Sequence, residues 1–230
     1  MRYQALLWDI DGTLLDFGAS ERAGIRKTFE SFGLGICTDE MLAEYSRINM
    51  KHWEKLERGE CTKHETMVNR FHEFFLLRGI SADAEAFNDE YQSRLPDTII
   101  FHPHGKETLE LLSGKYLQYC ISNGNLPVQR RKLRESGMDR IFNGVFISDD
   151  VGFEKPSVDY FRYVLDSIGQ DPEKCLVIGD SLTSDMQGAN NAGIPCCWFN
   201  PGNVSAPSSL RIDYTIRDLA EIPGLLEKES

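Results

Sequence analysis

Five short apolar runs recur along the chain, and they restrict the fold more than any other feature. They are "ALLWDI" (residues 5–10), "YLQYCIS" (116–122), "GVFIS" (144–148), "KCLVIGD" (174–180) and "IPCCWFN" (194–200). Most are nearly continuous rather than alternating. A strand that is apolar on both sides must be covered on both faces, as in a parallel sheet sandwiched by helices. Helical patterns separate the later runs: "PVQRRKLRESG", "PSVDYFRYVLDSIG" and "SDMQGANNAG". In the second, Val158, Phe161, Leu165 and Ile168 share a face, and Gly169 is a C-terminal stop. The alternation predicts an α/β domain with a doubly wound parallel sheet.

One interval breaks the alternation. Between the first and second runs lie about a hundred residues of mostly helical pattern, too many for a crossover helix. "TDEMLAEYSRINMKHWEKLERG" is one candidate helix. "TKHE" places Thr62 and Glu65 as a capping box, followed by an apolar face of Val68, Phe71 and Phe75. "DAEAFNDEYQSRL" repeats apolar residues at Phe87, Tyr91 and Leu95. The expectation is an all-helical domain over 17–95, inserted into an α/β core of 1–16 and 96–230. After a loop, "PGNVSAPSS", the chain ends in a strand-like "DYTI" and a helix, "RDLAEIPGLLEK".

Charge narrows the function classes. The 230 residues carry a formal net charge of -11. An acidic surface does not suit polymeric nucleic acid, although a local pocket can still take a small anion. The N-terminus lacks a secretory pattern and no stretch is long and apolar enough to span a membrane, so a cytoplasmic protein without membrane attachment is expected. The six cysteines are scattered and form no CxxC pair, which reads as free thiols, mostly buried. Monomer and homodimer are equally compatible with the pattern.

Polar residues gather where the apolar runs stop. The first run ends in Asp9 and Asp11, the second in Ser122 and Asn123, and the fourth in Asp180, with Asp185 close behind; Lys155 follows the third. In a parallel sheet these positions share one edge, where ligands of open α/β folds bind. Carboxylates gathered there repel strongly unless a cation intervenes. Magnesium suits the set, because it takes oxygen ligands, keeps waters and shares phosphate oxygens. Asp9 and Asp180 with the Asp11 main-chain carbonyl are candidate donors. Asp185 reads as a direct ligand, a water-mediated ligand, an orienting partner or a helix cap with Ser184. Whether manganese or cobalt substitutes is open. Asp9 is then a candidate nucleophile toward phosphorus, and Asp11 an acid and base. Ser122, the Asn123 amide and Lys155 would hold the phosphoryl oxygens.

"DIDGT", the Ser122 of "ISNG", the Lys155 of "EKP" and "GDSLTSD", in this order, resemble the four motifs of the haloacid dehalogenase superfamily. The resemblance implies a Rossmann-like core with a mobile helical cap. The stretch "NMKHWEKLERGECTKHETMVNRFHEFF" and the tail "NPGN" are similar to the bacterial pyrimidine 5′-nucleotidase branch. Dehalogenases of the superfamily lack the second aspartate of the first motif; Asp11 is present here, which favours phosphoryl transfer. The implied function is a phosphatase for a small phosphorylated metabolite, a pyrimidine nucleoside 5′-monophosphate by the branch resemblance. Sugar-phosphate and phosphoglycolate-type phosphatases, a phosphomutase, and a non-catalytic binding protein are the alternatives.

Other conspicuous residues have plain readings. His102 and His104 in "FHPHGKE" read as a Pro-containing loop before a helix. Trp53 and Phe71 read as core. Phe17 lies near the expected hinge. "RRKLRE" (130–135) reads as a solvated helix face.

Overall fold

The computed structural model describes residues 2–229. The chain separates into two compact units, Met1–Phe17 with Ile99–Ser230, and Gly18–Thr98.

The first unit is built on a six-stranded, wholly parallel sheet. Its strands are β1 (Ala5–Trp8), β2 (Leu117–Ser122), β3 (Gly144–Ile147), β4 (Cys175–Gly179), β5 (Cys196–Phe199) and β6 (Tyr214–Ile216). The spatial order is β3-β2-β1-β4-β5-β6, the Rossmann-like order, so strand order reverses between β1 and β4. Trp8 pairs with Ile178 in that register, which brings the residues after both strands side by side.

Successive strand residues enter opposite cores. Leu6, Trp8, Cys120, Leu176, Ile178 and Cys197 join one buried cluster. Ala5, Leu7, Ile121, Val177, Cys196 and Trp198 join the other. This explains the unbroken apolar runs: each strand feeds two cores, and its period of two is hidden because both faces are dry. The first core is closed by Leu109 and Leu112, Leu133, and Ile222 and Leu226. The second is closed by Tyr160, Phe161, Val164, Leu165 and Ala189. Strand β3 departs from expectation: as an edge strand it leaves Val145 exposed. Val158 is likewise exposed, so the buried stripe there begins at Tyr160.

The second unit is all-helical. Helix α1 (Phe17–Ser31) enters it, followed by α2 (Asp39–Glu57), α3 (Lys63–Arg78) and α4 (Ala84–Arg94), and a 3-10 turn over Leu95–Asp97. Thr62 and Glu65 form the reciprocal capping box at α3, satisfying end amides that lack helical partners. Phe71 is central: its ring lies 4.9 Å from Tyr45 and 4.9 Å from Phe87. Trp53, expected in the core, is only half-buried, because the buried face of α2 runs through Tyr45, Ile48, Asn49 and His52. The buried Arg70 bonds to Asn49 and Asn88, and Asn49 also donates to Glu21. All six cysteines are free thiols. Among the described residues no helix is long and apolar enough to cross a membrane.

Candidate active site

Asp9 follows the last residue of β1, and its amide still donates to Ile178 of β4, so the strand geometry holds one residue beyond the strand. The chain then turns at Gly12, whose φ of +98° favours glycine. A Cβ at Gly12 would lie 2.5 Å from Asp180 Oδ2, so the absent side chain is also what lets that carboxylate approach the turn. The next residue closes the arrangement. The buried Thr13 hydroxyl lies 3.1 Å from Asp9 Oδ2 and 3.0 Å from Asp180 Oδ1. Trp198 Nε1 donates to the Asp180 main-chain oxygen and fixes the end of β4.

Lys155 completes the centre. Its ammonium donates to Asp9 Oδ1 at 2.8 Å and to Asp185 Oδ1 at 2.7 Å, fully inside the protein. The Lys155 amide donates to Asn123 Oδ1, and Asn123 Nδ2 donates to the Lys155 carbonyl, both at 2.8 Å. The Asn123 side chain is therefore consumed in fastening the lysine loop. Ser122 is buried, with its Oγ accepting from the Gly124 amide. Asp185 accepts from Lys155 on one oxygen and from the Ser181 amide on the other. It stands on a π-helical turn, Leu182–Met186, that carries the chain from β4 toward the next helix, where a simple continuous helix was expected.

One oxygen from each of Asp9, Asp180 and Asp185 lies within 4.8 Å of the others. Burial pushes the Asp9 carboxyl up to about 7, although the Lys155 ammonium opposes it. Burial also holds Asp180 well above the ordinary carboxylate range, reinforced by the charges of Asp9 and Asp185. Lys155 is held above its ordinary value by those two aspartates, which outweigh its own desolvation. Within the cluster one lysine faces three acids, and among the described residues the side-chain donor that reaches Asp180 is a neutral hydroxyl. A hard oxygen cluster with surplus negative charge fits a magnesium ion.

Asp11 takes a different position. Its carboxylate lies outside that cluster. Lys132 Nζ donates to Oδ1 at 2.6 Å and Gln129 Nε2 to Oδ2 at 2.5 Å. Only the Asp11 main-chain oxygen is left as the metal donor expected of this residue. The reading of 130–135 as a solvated face needs correction: Arg130, Arg134 and Glu135 are exposed, but Lys132 is 1% exposed and belongs to the site. Sequence reasoning missed Gln129, Lys132 and Thr13. The available signal was that Gln129 and Lys132 share the helix stripe of Val128 and Leu133, where polar residues need a partner. His102 packs on Phe199 and His104 bonds to Asp218, in keeping with the loop reading.

A family model for haloacid dehalogenase-like hydrolases matches residues 3–193. The chain belongs to this family. It is 34% identical to the HAD-hydrolase YfnB of Bacillus subtilis over the whole of this chain and 97% of YfnB. A crystal structure of YfnB bound to magnesium superposes with a TM-score of 0.93, covering 98% of this chain and 99% of that one. The pyrimidine 5′-nucleotidases PynA of Streptococcus pneumoniae and YjjG of Escherichia coli are 31% and 25% identical. These alignments cover 99% of this chain in both cases, and 97% and 100% of the relatives. The HAD-like fold thus accounts for the sheet order and for a helical unit placed between β1 and β2.

Proposed function

We propose that this HAD-family hydrolase is a magnesium-dependent phosphatase of small phosphate monoesters. The observation that carries the reading is the buried Lys155–Asp9 pair beside Asp180, at the point where strand order reverses. Asp9, Asp180 and the Asp11 main-chain oxygen would hold the ion, with Asp185 orienting Lys155 from behind. Bound there, magnesium would neutralise the cluster and offset phosphoryl charge.

The residues divide the work. Asp9 attacks phosphorus through one carboxylate oxygen, and the bond from phosphorus to the ester oxygen breaks. Asp11 gives its proton to the departing alcohol. The aspartyl phosphate then accepts a water, whose proton passes to Asp11 as the Asp9 carboxylate leaves with its electron pair. Lys155, Ser122 and the Asn123 amide hold the phosphoryl oxygens in line. We assign selection of the alcohol to the helical unit inserted between β1 and β2.

The substrate class we favour is a pyrimidine nucleoside 5′-monophosphate, supported by the two relatives of that name. Phosphate release from a panel of nucleotides and sugar phosphates, with magnesium and with chelator, tests both levels. Faster release from uridine and thymidine 5′-monophosphates than from purine or sugar phosphates is expected. A preference for a sugar phosphate would overturn the nucleotide assignment, and no release from any ester the phosphatase.

A further inference from the structure

Gln129 and Lys132 stand on one helix, Leu126–Ser136, and both point their donors at the same carboxylate. Lys132 Nζ also lies 5.4 Å from the centroid of the Phe17 ring, so the ammonium is enclosed by an anion and an aromatic face. Two details set this arrangement apart from ordinary packing. Among the described residues the Oε1 of Gln129 is buried with no hydrogen-bond partner, a cost that calls for an explanation. And a Cβ on Gly124 would lie 2.0 Å from Gln129 Nε2, so the loop carrying Ser122 and Asn123 is shaped around that amide.

We infer that Gln129 and Lys132 are positioning residues for Asp11, holding its carboxyl group in one orientation so that it passes a proton to the departing ester oxygen and takes one from the attacking water. This deepens the proposed phosphatase reading and rests on it. A carboxylate at a strand end, beside a glycine turn, has free torsions about both side-chain bonds. Two charge-assisted or amide donors from one rigid helix, one to each oxygen, remove that freedom. The hydrogen bonds of the pair go to the Asp11 carboxylate and not to Asp9, Asp180, Asp185 or Lys155, so its expected effect on the reaction travels through Asp11.

The consequence is a dependence on the leaving group. An alkyl alcohol needs a proton as it departs, whereas 4-nitrophenolate leaves without one. The value of kcat/KM reports the steps up to that departure. Lys132→Met and Gln129→Leu should each be compared with the wild type on 4-nitrophenyl phosphate. The second probe is the alkyl ester cleaved fastest among uridine 5′-monophosphate, glycerol 2-phosphate and glucose 6-phosphate. Loss of roughly 10²-fold in kcat/KM on the alkyl ester, with less than about fivefold on the aryl ester, is expected for Lys132→Met. Gln129→Leu should move the same ratio in the same direction, and it carries the test if the lysine variant does not fold. Equal losses on both esters would make the pair structural and overturn the inference, as would unchanged rates. A wild type that cleaves neither ester would instead sink the phosphatase reading, and this inference with it.

Discussion

Lys155 Nζ lies 2.8 Å from Asp9 Oδ1, with the two side chains 2% and 9% exposed. The same ammonium reaches Asp185, so one cation compensates two buried acids. Removing one partner of such a pair leaves charge stranded in a dry site. Lys155→Met should lower stability by about 3–5 kcal/mol in chelator. Thermal unfolding with and without magnesium checks this: the loss should shrink when magnesium is added, because an ion would compensate the same acids.

The opposite sign is expected for Asp180→Asn. Asp180 is held well above the ordinary carboxylate range by burial and by Asp9 and Asp185. Neutralising it relieves repulsion, so the melting temperature in chelator should rise by roughly 2–4 °C. Activity with magnesium should fall to background. A variant that was both less stable and still active would refute the clustering argument.

Asp9→Asn should abolish turnover by at least about 10³-fold while leaving the fold intact. An amide nitrogen is not a nucleophile toward phosphorus, yet it fits the same space. Phosphate release and circular dichroism on the same sample separate the two effects.

Gly12→Ala tests the turn. Alanine would have to adopt a φ of +98° and place its Cβ 2.5 Å from Asp180 Oδ2. The carboxylate must move, and magnesium affinity should weaken by about 10–100-fold. Calorimetric titration of magnesium into the two proteins reads this directly.

A pH effect is expected within the helical unit, at Glu21. Burial raises its carboxyl above the ordinary value, against the pull of Ser46, Arg70 and Asn49. Its stabilising share is present in full below the unfolded-state value and is lost as pH rises through the folded-state value. Glu21→Gln does not titrate. The stability of the wild type relative to this variant should therefore be greatest in acid and decline toward neutral pH, followed by urea unfolding across that range.

Much of the fold could be read from residue order because the sheet is buried twice. A continuous apolar run of strand length suits little besides a strand covered on both faces. Thr62 with Glu65 is a local signature that needs nothing beyond its own helix. The exposed Val145 and the half-buried Trp53 went the other way, since edge position and helix rotation are set by distant neighbours. The acids at strand ends were equally legible. Asp9, Asp180 and Asp185 come together because parallel strands place their carboxyl ends on one edge.

The linear chain alone determined the alternation of strand and helix, the long helical interval and the identity of the acids at the strand ends. Those follow from local periodicity and composition. The tertiary structure alone decided how the charges are shared. It gives Lys155 to Asp9 and Asp185, spends the Asn123 side chain on the lysine loop, and turns Lys132 and Gln129 onto Asp11, 121 and 118 positions away. Ion pairing acts through space at a few ångströms, and no spacing along the chain encodes which lysine will meet which carboxylate.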